Sequence, residues 1–154
     1  VQEKFGNVVV SKMAAIAKPQ ADGSTKLRLI IDMLRSGVNE HVRIHERIVL
    51  PRILDLLQDT MEFIDASAQS GNDVEFMVLD WEDAFHSMGV PDAEKPHQVV
   101  KGFGSELIGY ETVLFGGGGS PGVWGRAAAF LGRSGQSLFD YSETRLQVYV
   151  DDPW

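Results

Sequence analysis

Apolar residues recur along this chain with two different periods, and the switching between those periods restricts the fold more than any other feature. Val8, Val9 and Val10 open an apolar run through Ile16 that reads as a strand, and Lys26 to Ile31 alternates as a second. Between them Pro19 to Ser24 holds Pro, Asp and Gly, so the two strands are expected to form a hairpin. Arg35 to Arg47 has no clear period and reads as an irregular connection. Pro51 then opens a helix in which Ile53, Leu54, Leu57, Met61 and Ile64 fall at helical spacing. Residues 66–73 read as a loop, Val74 to Leu79 as a buried strand, and a short helix is expected near Glu82. After a loop from Gly89 to His97, a weak strand is expected over Gln98 to Phe103 and another over Tyr110 to Phe115. Gly116 to Pro121 breaks the chain before a helix from Pro121 through Leu131, with Trp124, Ala127, Ala128 and Leu131 on its core side. Leu146 to Val150 alternates as a final strand. The chain is expected to fold as an α+β protein.

The chain has 154 residues, enough for one domain or two small lobes, and 44% of them are hydrophobic against 23% charged, which is ordinary for a soluble globular protein. Cysteine is absent, which removes disulfides and thiolate metal sites and suits a reducing, intracellular location, cytoplasmic or nuclear. No apolar run reaches the roughly 18 residues needed to cross a bilayer, so no membrane partner is expected. The opening residue is Val1, which predicts a piece excised from a longer polypeptide. The net charge of −8 is unevenly placed: residues 1–54 hold 9 Lys/Arg against 5 Asp/Glu, and the remainder 5 against 17. A phosphate-facing lobe followed by a cation-binding lobe would produce this pattern, and so would two solvated surfaces of different composition.

Two of the expected strands end in carboxylates, one at Asp80 and the other at Asp151–Asp152. Clustered acids raise one another's pKa, and a divalent cation with a preference for hard oxygen ligands removes that penalty. Taken singly, Asp80 also suits a helix cap and Asp151–Asp152 a solvated hairpin turn.

The surrounding residues form ordered blocks. Val78-Leu79-Asp80-Trp81-Glu82-Asp83-Ala84-Phe85 resembles the first palm motif of reverse transcriptases. Leu114-Phe115-Gly116 with Ser120-Pro121 is similar to the second, and Tyr149-Val150-Asp151-Asp152 to the Tyr-X-Asp-Asp box. Upstream, Asp22 to Asp32 resembles the fingers hairpin, and Leu50-Pro51-Arg52-Ile53 the helix that follows it in retrotransposon enzymes. Arg35 stands one residue further from Asp32 than the family's Asp-X-Arg spacing.

The resemblance implies right-hand polymerase fingers over residues 1–73 and a palm over residues 74–154, with an antiparallel palm sheet flanked by helices and the thumb absent. It implies RNA-directed DNA polymerase activity, with an RNA/DNA template-primer and deoxynucleoside triphosphates as partners. Asp80, Asp151 and Asp152 would be the catalytic carboxylates, holding two Mg²⁺ ions (Mn²⁺ as the alternative) together with the Trp81 carbonyl. Arg28, with Lys26 or Lys18, would contact the triphosphate, and the amides of Asp83 and Ala84 would lie against it. Phe85 would stack beneath the sugar and exclude a 2′-hydroxyl, and Phe115 and Gly116 would flank the nascent base pair. With the strand after the box, the thumb and other polyprotein domains missing, the isolated piece is expected to be inactive. The alternative is a non-catalytic retroelement remnant that binds nucleic acid or protein.

Rival motifs fall on chemical grounds. Gly118-Gly119-Ser120-Pro121-Gly122 fits Gly-X-Ser-X-Gly, but Pro121 has no N–H to offer an oxyanion. Gly117-X-Gly119-X-X-Gly122 lacks a parallel βαβ context, and no Lys follows the glycines as a phosphate loop requires. His41 and His45 lack the His-Glu-X-X-His order of a metalloprotease. The glycine run Gly116 to Gly119 predicts a flexible loop.

Overall fold

Pro19 cannot donate to a sheet ladder, and the first long strand ends there. In the computed structural model, which describes residues 1–149 and 152–153, β1 (Val10–Pro19) turns back antiparallel into β2 (Thr25–Asp32). The turn is an Asx turn: Asp22 Oδ1 accepts from the Ser24 amide at 2.9 Å and its hydroxyl at 2.6 Å, while Gly23 takes φ 81°. These bonds, the hydroxyl's first, hold the Asp22 carboxyl below its ordinary pKa.

The described residues form an α+β protein whose helices are α1 (Gln2–Phe5), α2 (Val38–His41), α3 (Ile53–Ser70) and α4 (Ser120–Gln136). None is long and apolar enough to cross a membrane. The chain divides into two compact units, each made of two stretches, whereas the sequence places one boundary after residue 73.

The first unit comprises Val1–His45 and Phe85–Pro121. Its sheet runs β2-β1-β3-β4, where β3 is Val99–Lys101 and β4 is Leu107–Gly109. The sheet is mixed, not antiparallel throughout, because β1 and β3 pair in parallel. Long connections allow this pairing, which a tight turn would forbid. Ile31, Met33, Val100 and Leu114 form the core, with Met13, Val38 and Tyr110 packed against it. The base of the hairpin is thereby anchored, while most of its length stays exposed on both faces.

The second unit comprises Glu46–Ala84 and Gly122–Trp154. Trp124 is 2% exposed and meets Trp81 edge-on, with ring centroids 5.9 Å apart. The segment after α4 is strapped to α3 through Arg145. Its guanidinium reaches Asp59 at 2.6 Å and Glu62 at 2.5 Å and lies over the rings of Phe63 and Tyr141. Gln147 donates to the other oxygen of Asp59. Gln136, on α4, bonds Thr144 O and Leu146 N through its two amide ends. The strap leads into β5 (Val148–Tyr149), which pairs antiparallel with β6 (Asp152–Pro153).

Several expectations change. The expected loop at 66–73 begins five residues later, because α3 runs on through Ala66 and Ala68, good helix formers, to a left-handed Gly71. Ile53, Leu54, Leu57, Met61 and Ile64 are exposed, and the half-buried stripe of α3 is Leu56, Asp59, Thr60 and Phe63. Val74 to Leu79 is not a strand and is mostly exposed: among the described residues no strand takes up its backbone groups, and Val78 is 72% exposed. The helix near Glu82 is a set of turns with Asp83 at φ 51°. Tyr110 to Phe115 forms one bridge, Thr112 to Gly89, because the turn closed by Gly102 N–H and Glu106 O sets β4 earlier in the chain. The expected irregular stretch Arg35 to Arg47 contains α2.

Candidate functional site

The hairpin register decides which basic residues act together. Lys18 lies opposite Lys26 and Ile16 opposite Arg28, so the strand alternation puts Lys18, Lys26 and Arg28 on one face of the ribbon. That face, with Phe115 and Gly116 from the loop after the core residue Leu114, borders an open cleft of about 570 Å³. Its walls include Ile16, Lys18, Arg28 and Ile30 on the hairpin side. Arg28 sits over the Phe115 ring at 4.9 Å, and Phe85 meets the same ring edge-on at 5.3 Å. Phe115 is 45% exposed, whereas Phe85 is 8% exposed behind it.

Of the residues assigned to nucleotide binding by resemblance, Lys18, Arg28, Phe115 and Gly116 therefore come together. They are as much as 98 positions apart in sequence (18 to 116). Lys26 joins them through the register, and Phe85 makes a T-shaped contact with Phe115. Two like charges directly opposed across a ribbon are destabilising, so the Lys18–Lys26 pair has a cost that a bound anion would remove.

The glycine loop is held, contrary to the flexibility its composition predicts. Asn39 Nδ2 donates to Gly116 O at 3.0 Å, and the Gly118 amide donates to Asn39 Oδ1 at 2.7 Å. Ser120 Oγ donates to Leu114 O at 2.7 Å at the end of the loop. Gly116 has φ 108°, and a Cβ there would fall 2.6 Å from Ile31 O, so the loop can lie against the end of β2 only with glycine at this position. Sequence reasoning missed Asn39. The signal was faint: a Gly37-Val38-Asn39 sequence in a stretch without period.

The carboxylates belong to the second unit. Asp80 is exposed, following a segment without regular structure, and Asp83 is exposed while Ala84 is buried. Asp151 lies outside the described residues, and for Asp152 the description reaches only the backbone pairing with Tyr149. Among the described residues no group of three or more His, Cys, Asp or Glu side chains is gathered so as to hold a metal ion.

Comparison of the chain with protein-family models finds no match, and comparison with curated proteins finds none either.

Proposed function

We propose that this chain is the fingers and palm of a reverse transcriptase, and that the cleft of the first unit takes the incoming deoxynucleoside triphosphate. The observation that carries the reading is the cleft itself, where cations, an aromatic ring and a side-chain-free backbone position converge. Lys18, Lys26 and Arg28 supply positive charge for a polyphosphate. Phe115, 45% exposed, offers aromatic surface for a base, with Arg28 over its ring and Phe85 in a T-shaped contact with it. Gly116 lets a base approach the backbone. Binding and orientation of the nucleotide by these groups would provide most of what phosphoryl transfer asks of a protein.

The donor set Asp80, Asp151 and Asp152, with the Trp81 carbonyl, is all hard oxygen and fits a pair of Mg²⁺ ions. When bound, such a pair stabilises the attacking and leaving oxygens of an in-line displacement. An RNA/DNA template-primer and a cytoplasmic or nuclear location belong to the same reading.

Calorimetric titration with dTTP tests it. The chain is expected to bind dTTP, and Arg28→Ala to weaken binding by about tenfold or more, the loss of one charge-assisted contact. Absence of dTTP binding by the unmodified chain overturns the reading, as does an Arg28→Ala chain of unchanged affinity.

A further inference from the structure

The two walls of the cleft come from distant parts of the chain. One is the hairpin, whose β2 carries Arg28; the other is the loop carrying Phe115 and Gly116. Asn39 touches the supports of both. Its backbone amide donates to the carbonyl of Met33, the buried residue that directly follows β2, at 3.1 Å. Its carboxamide spans Gly116 O and Gly118 N in the opposite wall. Both side-chain bonds end on backbone atoms, so they fix the path of the loop and not the rotamer of any one side chain. The loop has no side chains of its own between Gly116 and Gly119 with which to hold that path. Gly116 already lies so close to Ile31 O that even a Cβ would clash, so loop and strand end are in direct contact beside the residues Asn39 grips.

We infer that Asn39 is a positioning residue that sets the separation of the Arg28 and Phe115 walls, and with it the affinity of the cleft for the base and sugar of a nucleotide. This rests on the nucleotide reading above. The polyphosphate end is different. Lys18, Lys26 and Arg28 are fixed relative to one another by the β1–β2 register, which Asn39 does not touch. A change at Asn39 therefore separates the two halves of the ligand.

Two ligands, dTTP and inorganic tripolyphosphate, distinguish these contributions when titrated in EDTA, where no divalent cation takes part. Asn39→Asp keeps the side-chain shape, loses the donor to Gly116 O and sets an acceptor against it. Asn39→Ala removes both bonds without adding charge. For Asn39→Ala, dTTP affinity is expected to fall about tenfold, while tripolyphosphate affinity stays within about twofold. Asn39→Asp should show at least the same dTTP loss. His41→Ala, on the same short helix and with its ring bonded to Gly37 O and not to the glycine loop among the described residues, should change neither ligand. Equal losses for both ligands in Asn39→Ala would mean general damage to the fold and would overturn the inference, and so would no loss of dTTP. If the unmodified chain binds neither ligand, the nucleotide reading itself falls, and this inference with it.

Discussion

Asp151→Asn, in the protein expressed from its whole reading frame, is expected to reduce deoxynucleotide incorporation on a primed RNA template by ~10³-fold or more. The magnitude follows from what electrostatic groups at a reacting centre are worth: loss of a single donor already costs about 10²–10³ in rate. Asn keeps the shape of Asp and loses the charge that a hard cation needs, so protein folding and template binding should persist. Template affinity, read by filter binding, is expected to stay within about threefold, since phosphate contacts by Lys and Arg dominate that term. The same variant separates the two function classes open to this sequence. A polymerase loses incorporation on this change; a remnant retained for binding has none to lose. Incorporation that survives Asp151→Asn would sink the catalytic assignment.

Arg145→Met should lower stability on the order of 2 kcal/mol. Arg145 ties the segment before β5 to α3 through Asp59, Glu62 and the Phe63 ring, and its side chain is only 14% exposed. Full burial would give a larger figure; Glu62 is 48% exposed, so water screens that half of the fork. A chain of this length loses about 2–4 °C of melting temperature per kcal/mol, so a drop of roughly 4–8 °C is expected in a thermal melt.

The pH dependence follows from Glu62, whose carboxyl is held below its ordinary pKa chiefly by the Arg145 hydrogen bond and then by Gln58. A carboxyl depressed in the folded state adds stability above its unfolded pKa of about 4.3 and loses it as pH falls through the lower folded value. The gap between wild type and Arg145→Met should accordingly be widest near neutrality and narrow below about pH 4. A gap unchanged between pH 7 and pH 3 would show that the fork contributes no charge-dependent stability.

Much of the fold was legible because it depends on local chemistry. The hairpin was visible in Pro19 to Ser24, since an Asx turn needs only its own four or five residues. The helix from Pro51 was visible in the spacing of its apolar residues, while the Arg52–Asp55 bonds that start it are seen only in the folded chain. The stretch Val74 to Leu79 was misread, because an apolar run becomes a strand only when another strand accepts its N–H and C=O groups, and none among the described residues is paired with it. The same reason explains α3. Its most apolar stripe is exposed, and the stripe holding Asp59 and Phe63 is half-buried, because Arg145 arrives there from 86 residues away.

The candidate site divides in the same manner. Residue types were determined by the sequence alone: basic Lys18, Lys26 and Arg28 on an alternating ribbon, aromatic Phe85 and Phe115, the glycine loop, and the acids Asp80, Asp151 and Asp152. Only the tertiary structure decided that Lys18 and Arg28 share a cleft with Phe115 and Gly116, and that Phe85 lies behind the exposed ring. It also gave Asn39 a role that no spacing in the sequence announces, 77 residues from the carbonyl it grips. Turn and strand preferences act over a few residues, whereas cleft walls and loop clamps depend on the pairing of distant backbone groups, which only the folded chain brings together.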